Sequence, residues 1–158
     1  MAEKVERGFM SIRIQMRRGS LSFLLLLLIT LSCNQDRVDD PIPYRAFPNI
    51  IITITSYPSL FSDGGYILVN DGGVRGIILY RKNSTTYYAF ERNCTFQPND
   101  ACATVDIHAS TLFMQDACCG SSFNFDGNPT GGPAWRPLQR YETLLSGNTL
   151  TITDLIVE

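Results

Sequence analysis

Histidine is almost absent from this chain, since His108 is the only one among 158 residues. A metal centre that requires two histidine ligands therefore cannot be built from the sequence. A Ser-His-Asp catalytic set would depend on His108 alone, and no serine lies in a pattern that supports one. His108 falls on the polar side of the alternating stretch 103–109, which predicts a surface histidine. We expect no enzymatic activity.

Apolar runs long enough to span a bilayer are lacking as well. The longest run, residues 21–31, has eleven positions, fewer than the roughly 20 that a membrane helix needs. It follows Arg13, Arg17 and Arg18, which predicts an export signal over residues 1–32. Ser32-Cys33 comes next and resembles the lipobox of bacterial lipoproteins. This resemblance implies acylation of Cys33 and a lipid anchor in the bacterial cell envelope, facing the periplasm or the exterior; a plain signal peptide or an uncleaved anchor is the alternative.

Positive charge is scarce. The chain has 13 Lys and Arg against 15 Asp and Glu, and residues 1–32 hold five of the former and two of the latter. The remaining chain thus has a net charge of −5, which argues against nucleic acid as a partner. Gly131-Gly132-Pro133-Ala134 lacks the Lys-Ser/Thr that a phosphate-binding loop needs. The lipid anchor remains as the expected link to a membrane.

No segment shows a helical period, whereas short alternating stretches are frequent. These stretches are separated by Gly, Asn and Asp turns, which is typical of an antiparallel sandwich or barrel. We predict an all-β domain over residues 49–158 and, before it, a flexible tether over the polar, proline-containing residues 33–48. The predicted strands are 49–55, 66–69, 74–81, 85–91, 103–109, 111–114, 122–125, 143–145 and 149–153.

Four cysteines lie beyond Cys33: Cys94, Cys102, Cys118 and Cys119. An even number in an exported chain favours disulfides. Spacing alone leaves three connectivities open, although neighbouring cysteines seldom bond to each other. The spacing is poor for a zinc or iron–sulfur site with four cysteines, because structural zinc sites prefer two short Cys-x-x-Cys pairs.

The stretch around the adjacent cysteines resembles the second cluster-binding loop of the Rieske [2Fe–2S] domain. That loop usually reads Cys-Pro-Cys-His-Gly-Ser-x-Phe and is followed by a Gly turn and a Gly-Pro-Ala-x-x-Pro-Leu "Pro loop". The resemblance covers about residues 74–153. The matching positions are Gly120, Ser121, Phe123, Gly127, Gly132, Pro133, Ala134, Pro137 and Leu138.

The resemblance implies an antiparallel β-sandwich or barrel with a small loop-rich subdomain, formerly cluster-binding, at about residues 92–140. The ligand positions, however, differ. Cys94 stands at a cysteine position, but Phe96 replaces a histidine, Asp116 replaces the other cysteine and Cys119 replaces the other histidine. A Rieske centre needs two His and two Cys. We interpret Asp116 as a loop carboxylate that caps backbone N–H groups.

We therefore expect no cofactor and a structural or binding module held together by disulfides. The resemblance implies the pairs Cys94–Cys119 and Cys102–Cys118. It also implies a protein partner at the tip, defined here as residues 94–98, 116–122 and 131–137. The alternatives are an electron-transfer protein that binds [2Fe–2S] through altered ligands and a thiol–disulfide redox protein using Cys94 and Cys119.

Overall fold

The computed structural model describes residues 40–157, which form ten strands in two antiparallel sheets. In chain order the strands are β1 Ile50–Thr53, β2 Tyr66–Val69, β3 Ile77–Arg81, β4 Tyr87–Glu91, β5 Val105–Ile107, β6 Met114–Asp116, β7 Ser122–Phe123, β8 Pro129–Gly131, β9 Arg140–Ser146 and β10 Thr149–Val157. Two short 3₁₀ turns, Ile54–Ser56 and Pro58–Phe61, follow β1. Within residues 40–157 no helix has the length and apolar character to cross a membrane.

The larger sheet has the order β1-β10-β9-β4-β3-β2, and the smaller one the order β5-β6-β7-β8. The smaller sheet is an insertion between β4 and β9, as the predicted loop-rich subdomain requires. A single bridge between Asn93 and Thr104 joins the start and the end of the loop that leads into it. The prediction of an all-β antiparallel fold is confirmed.

Two hydrophobic clusters lie on the two faces of the large sheet. In β3, Ile77 and Leu79 belong to one cluster and Ile78 to the other, and all three side chains are fully buried. The second cluster joins Ile78 and Phe90 to residues from the small-sheet subdomain. A strand covered on both faces reads as a continuous apolar run, which explains why Ile77-Ile78-Leu79 shows no alternation.

The predicted strands form with altered bounds in most cases: several are shorter, β9 and β10 are longer, and β6 begins at Met114, where the predicted strand 111–114 was expected to end. β2 matches its predicted bounds, and β9 and β10 form the expected hairpin around Ser146-Gly147-Asn148 with Leu150 and Ile152 buried. β3 begins at Ile77, three residues later than predicted, because residues 72–76 are occupied by a turn. The first strand ends at Thr53, where the backbone N–H of Ile54 turns to donate to the carbonyl of Asn148, 2.9 Å away.

The predicted tether overlaps the folded domain and needs correction. Phe47 is buried in the first cluster, where its ring meets that of Tyr141 edge-on at 4.9 Å. Tyr44 donates to Asp154 at 2.8 Å. Burial of an aromatic ring outweighs the polar composition around it, so residues 40–48 pack on the domain. Residues 33–39, the predicted signal at 1–32 and the predicted lipid attachment at Cys33 lie outside the described residues.

Candidate functional site

The first cysteine loop, residues 92–104, follows β4 and places Cys94 in the interior. The Cys94 N–H donates to the carbonyl of Ala103 at 3.1 Å, and the Val105 N–H donates to that of Arg92 at 2.7 Å. These bonds continue the pairing started by the Asn93–Thr104 bridge. Cys94 is fully buried as a result.

A buried carboxylate, Glu91, anchors this loop from behind. Its Oε1 accepts the backbone N–H groups of Arg75 at 3.1 Å and Asn93 at 2.9 Å. Its Oε2 accepts the N–H of Val74 and the hydroxyl of Tyr141, each at 2.7 Å. Burial, together with this hydrogen bond to Glu91, raises the pKa of Tyr141. These four hydrogen bonds offset the free-energy cost of removing the Glu91 carboxylate from water.

The second cysteine loop, residues 116–121, is a tight turn after β6. The Asp116 carboxylate accepts the Cys118 N–H at 2.8 Å, so the predicted capping role is confirmed. The Gly120 N–H donates to the Asp116 carbonyl and the Asp116 N–H to the Ser121 carbonyl, each at 2.9 Å. Gly120 has φ +76°, a conformation that favours glycine.

The Pro loop, residues 131–138, covers both cysteine loops. The Ser121 hydroxyl accepts the N–H of Ala134 at 3.0 Å, and the Thr95 hydroxyl donates to the carbonyl of Arg136 at 2.8 Å. Gly132 lies so close that a Cβ there would come within 2.5 Å of the Ser121 Cα. Leu138 anchors the loop in the second cluster. Trp135, in the same loop, is 45% exposed.

Three of the four positions that the resemblance assigns to cluster ligands come together at this junction. The Sγ atoms of Cys94 and Cys119 are 3.8 Å apart, and the Cys119 thiol donates to Asp116 Oδ2 at 3.3 Å. Cys119 Sγ also lies 3.0 Å from the Ser121 hydroxyl. Within residues 40–157, these three side chains form the one group of metal-binding type whose ligand atoms all lie within 4.8 Å of one another.

Burial raises the pKa of the Cys94 thiol, and the neighbouring Asp116 carboxylate adds to this shift. A negative charge on Cys94 would have to form in an apolar interior beside another anion, which disfavours the thiolate. Cys94 is therefore held as a thiol at neutral pH and is a poor nucleophile on its own. Asp116 is fully buried and Cys119 is partly exposed.

The four cysteines divide into one disulfide and two thiols. Cys102 and Cys118 form a disulfide that joins the two cysteine loops, which is the pairing that the resemblance implied. The second implied pair, Cys94–Cys119, is not bonded in the structure. The Cys119 sulfur is instead directed to the oxygens of Asp116 and Ser121, which leaves 3.8 Å between the two sulfurs.

Phe96, at the fourth position that the resemblance assigns to a cluster ligand, is partly buried and packs against the second hydrophobic cluster. Its ring offers no donor atom to a metal. His108 lies outside the donor group, at the turn between β5 and β6, where its ring stacks on Phe113 at 4.2 Å and hydrogen-bonds to Ser110. A standard Rieske centre, with two His on one iron and two Cys on the other, does not fit these side chains.

Sequence reasoning missed Glu91 and the role of Ser121. Glu91 had a detectable signal, because it follows Tyr87 and Ala89 at a spacing of two and so falls on the face of β4 that is buried in the first cluster. Ser121 had no such signal. Ser121 is one of the positions that carry the Rieske resemblance, but that match says nothing about its contacts. Its contacts with Cys119 and Ala134 form only when the loops fold.

No protein-family model matches the chain, and no curated protein matches it. Among solved structures, the chain is similar to the plasma membrane Rieske protein PetC3 of the cyanobacterium Synechocystis PCC 6803, with 26% identity over 49% of this chain and 76% of that one, at a TM-score of 0.42. It is also similar to the ferredoxin of carbazole 1,9a-dioxygenase from Nocardioides aromaticivorans IC177, with 17% identity over 72% of this chain and 98% of that one, again at 0.42.

Proposed function

We propose that this protein is a lipid-anchored, extracytoplasmic Rieske-like domain that carries no standard [2Fe–2S] cluster and serves as a structural or binding module. One observation carries the proposal. The loops that would hold a cluster keep their fold, but the side chains at the ligand positions are two thiols, a carboxylate and the Phe96 ring. Such a set lacks both imidazoles of the standard centre.

The scaffold is maintained by contacts that need no metal. The Cys102–Cys118 disulfide ties the two cysteine loops together, and Ser121 ties the second loop to the Pro loop. A disulfide closing a loop of this size contributes about 3 kcal/mol in the chain-entropy model. The tip is therefore preorganised, which lowers the entropic cost of binding a partner.

The tip has features that suit a protein partner. Trp135 is 45% exposed and lies beside the guanidinium of Arg136, whose Cζ is 5.5 Å from the ring centroid. Exposed tryptophan and arginine are enriched at the centres of interfaces. We propose that this part of the tip docks a protein. Replacing Trp135 by alanine should weaken capture of that partner at least about 10-fold, whereas the equally exposed Leu144→Ala on β9 should not.

The membrane link rests on the sequence before the domain. Acylation of Cys33 would attach the chain to the bacterial envelope, with residues 34–39 between the lipid and the fold. Metabolic labelling with a fatty acid tests this directly. We expect label on the wild-type chain and none on Cys33→Ser, while Cys94→Ser should keep it.

The absence of a cluster is tested by an optical absorption spectrum together with chemical analysis of the protein for iron and inorganic sulfide. Protein purified without oxygen should show no visible iron–sulfur bands and no inorganic sulfide. Cluster bands together with two irons per chain would overturn the proposal.

A thiol–disulfide redox protein is the second candidate, and the 3.8 Å between the Cys94 and Cys119 sulfurs favours it. The raised pKa of Cys94 opposes it, because the thiolate is the attacking species. Redox titration followed by mass spectrometry distinguishes the redox protein from the structural or binding module. A Cys94–Cys119 disulfide that forms and breaks reversibly near −180 to −270 mV, the range of thiol oxidoreductases, would favour exchange.

A further inference from the structure

The ligand atoms of the two thiols and the carboxylate all lie within 4.8 Å of one another, and the two separations that involve Cys119 match those of ligands around one tetrahedral ion. Two thiolates bound to zinc at about 2.3 Å each lie roughly 3.8 Å apart when the angle between them is tetrahedral. Cys94 and Cys119 are 3.8 Å apart. A thiolate and a carboxylate oxygen on zinc lie roughly 3.5 Å apart by the same geometry, and the Cys119–Asp116 distance is 3.3 Å.

We propose that Cys94, Cys119 and Asp116 together bind a single zinc ion. The proposal goes beyond the function given above, and it rests on that function in one respect, namely that no two-iron cluster fills the same space. No other His, Cys, Asp or Glu in residues 40–157 joins the group. The fourth position of the tetrahedron is then filled by water or by a group from a bound partner, as at zinc sites with three protein ligands.

The surroundings hold these ligands in place without a metal. Asp116 uses Oδ1 to accept the Cys118 N–H, so Oδ2 is the oxygen that faces Cys119. The Ser121 hydroxyl accepts the Ala134 N–H and, in the metal-free site, the Cys119 S–H. When zinc displaces the Cys119 proton, which is released to water, the Ser121 O–H can donate to the thiolate instead. Outer-shell bonds of this kind fix ligand orientation and raise metal affinity.

The donor set points to zinc rather than to the hard cations. Thiolates select soft or borderline metals, whereas Mg²⁺ and Ca²⁺ prefer oxygen ligands alone. Zinc also accepts a carboxylate beside cysteine and histidine. Phe96, which stands where the family has a histidine, packs against the same hydrophobic cluster as Cys94 and Cys119 and adds no ligand atom for a second metal.

Cobalt substitution tests the site on the full-length chain in detergent. Titration starts from protein whose mass shows one disulfide, so that Cys94 and Cys119 are thiols. We expect one Co²⁺ per chain, with thiolate charge-transfer absorption and the strong visible bands of tetrahedral cobalt, and full displacement by one equivalent of Zn²⁺. A spectrum typical of octahedral cobalt with only oxygen ligands, or no binding of cobalt, would overturn the proposal.

Three variants and one control locate the ion. Cys94→Ser and Cys119→Ser should each weaken binding by at least about 100-fold, which exceeds the 10–100-fold typical of a lost outer-shell contact. Asp116→Asn keeps the Oδ1 that caps Cys118 and should shift the cobalt bands while the fold stays intact by circular dichroism. His108→Ala removes the one histidine and should leave affinity and spectrum unchanged. Loss of binding in His108→Ala, or unchanged binding in Cys119→Ser, would refute the assignment.

The outcomes separate this inference from the proposed function. Iron and sulfide in the purified protein would refute the cluster-free function, and the zinc site with it. Protein that holds neither iron nor sulfide and fails to bind cobalt would refute the zinc site alone.

Discussion

Removing the charge of Glu91 should destabilise the domain more than any other single isosteric change near the site. In Glu91→Gln one carboxylate oxygen becomes an NH₂ group, which cannot accept a hydrogen bond. If the amide oxygen keeps Arg75 and Asn93, the Val74 N–H loses its 2.7 Å acceptor in a partly buried position. The cost of one unsatisfied buried donor is about 1–3 kcal/mol, and bonds to a charged acceptor are worth about 1.5–3 kcal/mol each.

We therefore expect Glu91→Gln to lower the free energy of unfolding by about 3 kcal/mol, a large part of the roughly 5–15 kcal/mol that a domain possesses. Tyr141→Phe removes one bond to the same carboxylate and should cost about 1.5 kcal/mol. The double variant should cost less than the sum, because both changes delete the Glu91–Tyr141 bond. Glu142→Gln, next to Tyr141 and partly exposed, serves as the control and should cost less than about 1 kcal/mol.

Urea unfolding followed by far-ultraviolet circular dichroism measures these differences, provided that the slopes of the transitions agree among the variants. The site supplies a second readout. Because Glu91→Gln lowers the stability of the domain, it raises the population of opened molecules and should also speed alkylation of the buried Cys94 thiol. A Glu91→Gln protein within about 0.5 kcal/mol of wild type would show that the carboxylate does not anchor the loop.

Three further outcomes follow from the cysteines and from Tyr141. Replacing Cys102 and Cys118 together by serine should lower the free energy of unfolding by about 3 kcal/mol. A decrease of less than about 1 kcal/mol would show that the disulfide does not restrict the unfolded chain. In native protein at neutral pH, iodoacetamide should modify partly exposed Cys119 at least about 10-fold faster than buried Cys94, which peptide mass mapping can rank. The folded pKa values of Cys94 and Tyr141 are raised above their ordinary 9.0 and 10.0, so the stability that their neutral forms contribute is complete below pH 9 and is lost as the pH rises. The free energy of unfolding from urea titrations should therefore fall from pH 9 to 11, by at most about 1.4 kcal/mol per pH unit for each group. A free energy of unfolding that rises over this range would contradict the expected sign.

Strands with strong β-formers could be predicted from the sequence. Tyr66–Val69 is predicted by a run of β-forming residues between two glycine turns, and the hairpin around Gly147 is predicted by alternation and turn residues that agree there. β8, Pro129–Gly131, was not predicted, since its residues have low strand propensity and it pairs with β7 only through the tertiary fold. Phe47 was assigned to a tether for a similar reason, because its partner Tyr141 is 94 positions away in the chain and nothing local marks the contact.

The sequence predicts which residues meet at the site, but it does not predict the bonding state of their side chains. The scaffold pattern identified Cys94, Asp116 and Cys119 as neighbours, and the folded loops bring their ligand atoms within 4.8 Å. The state of the cysteines depends on distances that spacing does not fix. Cys102 and Cys118 are bonded, whereas the Cys119 sulfur is held by Asp116 and Ser121 at 3.8 Å from Cys94.

Anaerobic reconstitution with iron and sulfide tests the central claim most directly. The wild-type chain is compared with the triple variant Phe96→His, Asp116→Cys, Cys119→His, which restores the two His and two Cys of a Rieske centre on the same loops. We predict that wild type takes up no two-iron cluster, while the triple variant shows cluster absorption and an electron paramagnetic resonance signal after reduction. A wild-type chain that assembles two irons and two sulfides would contradict the account, because the ligand set present would then suffice for a cluster.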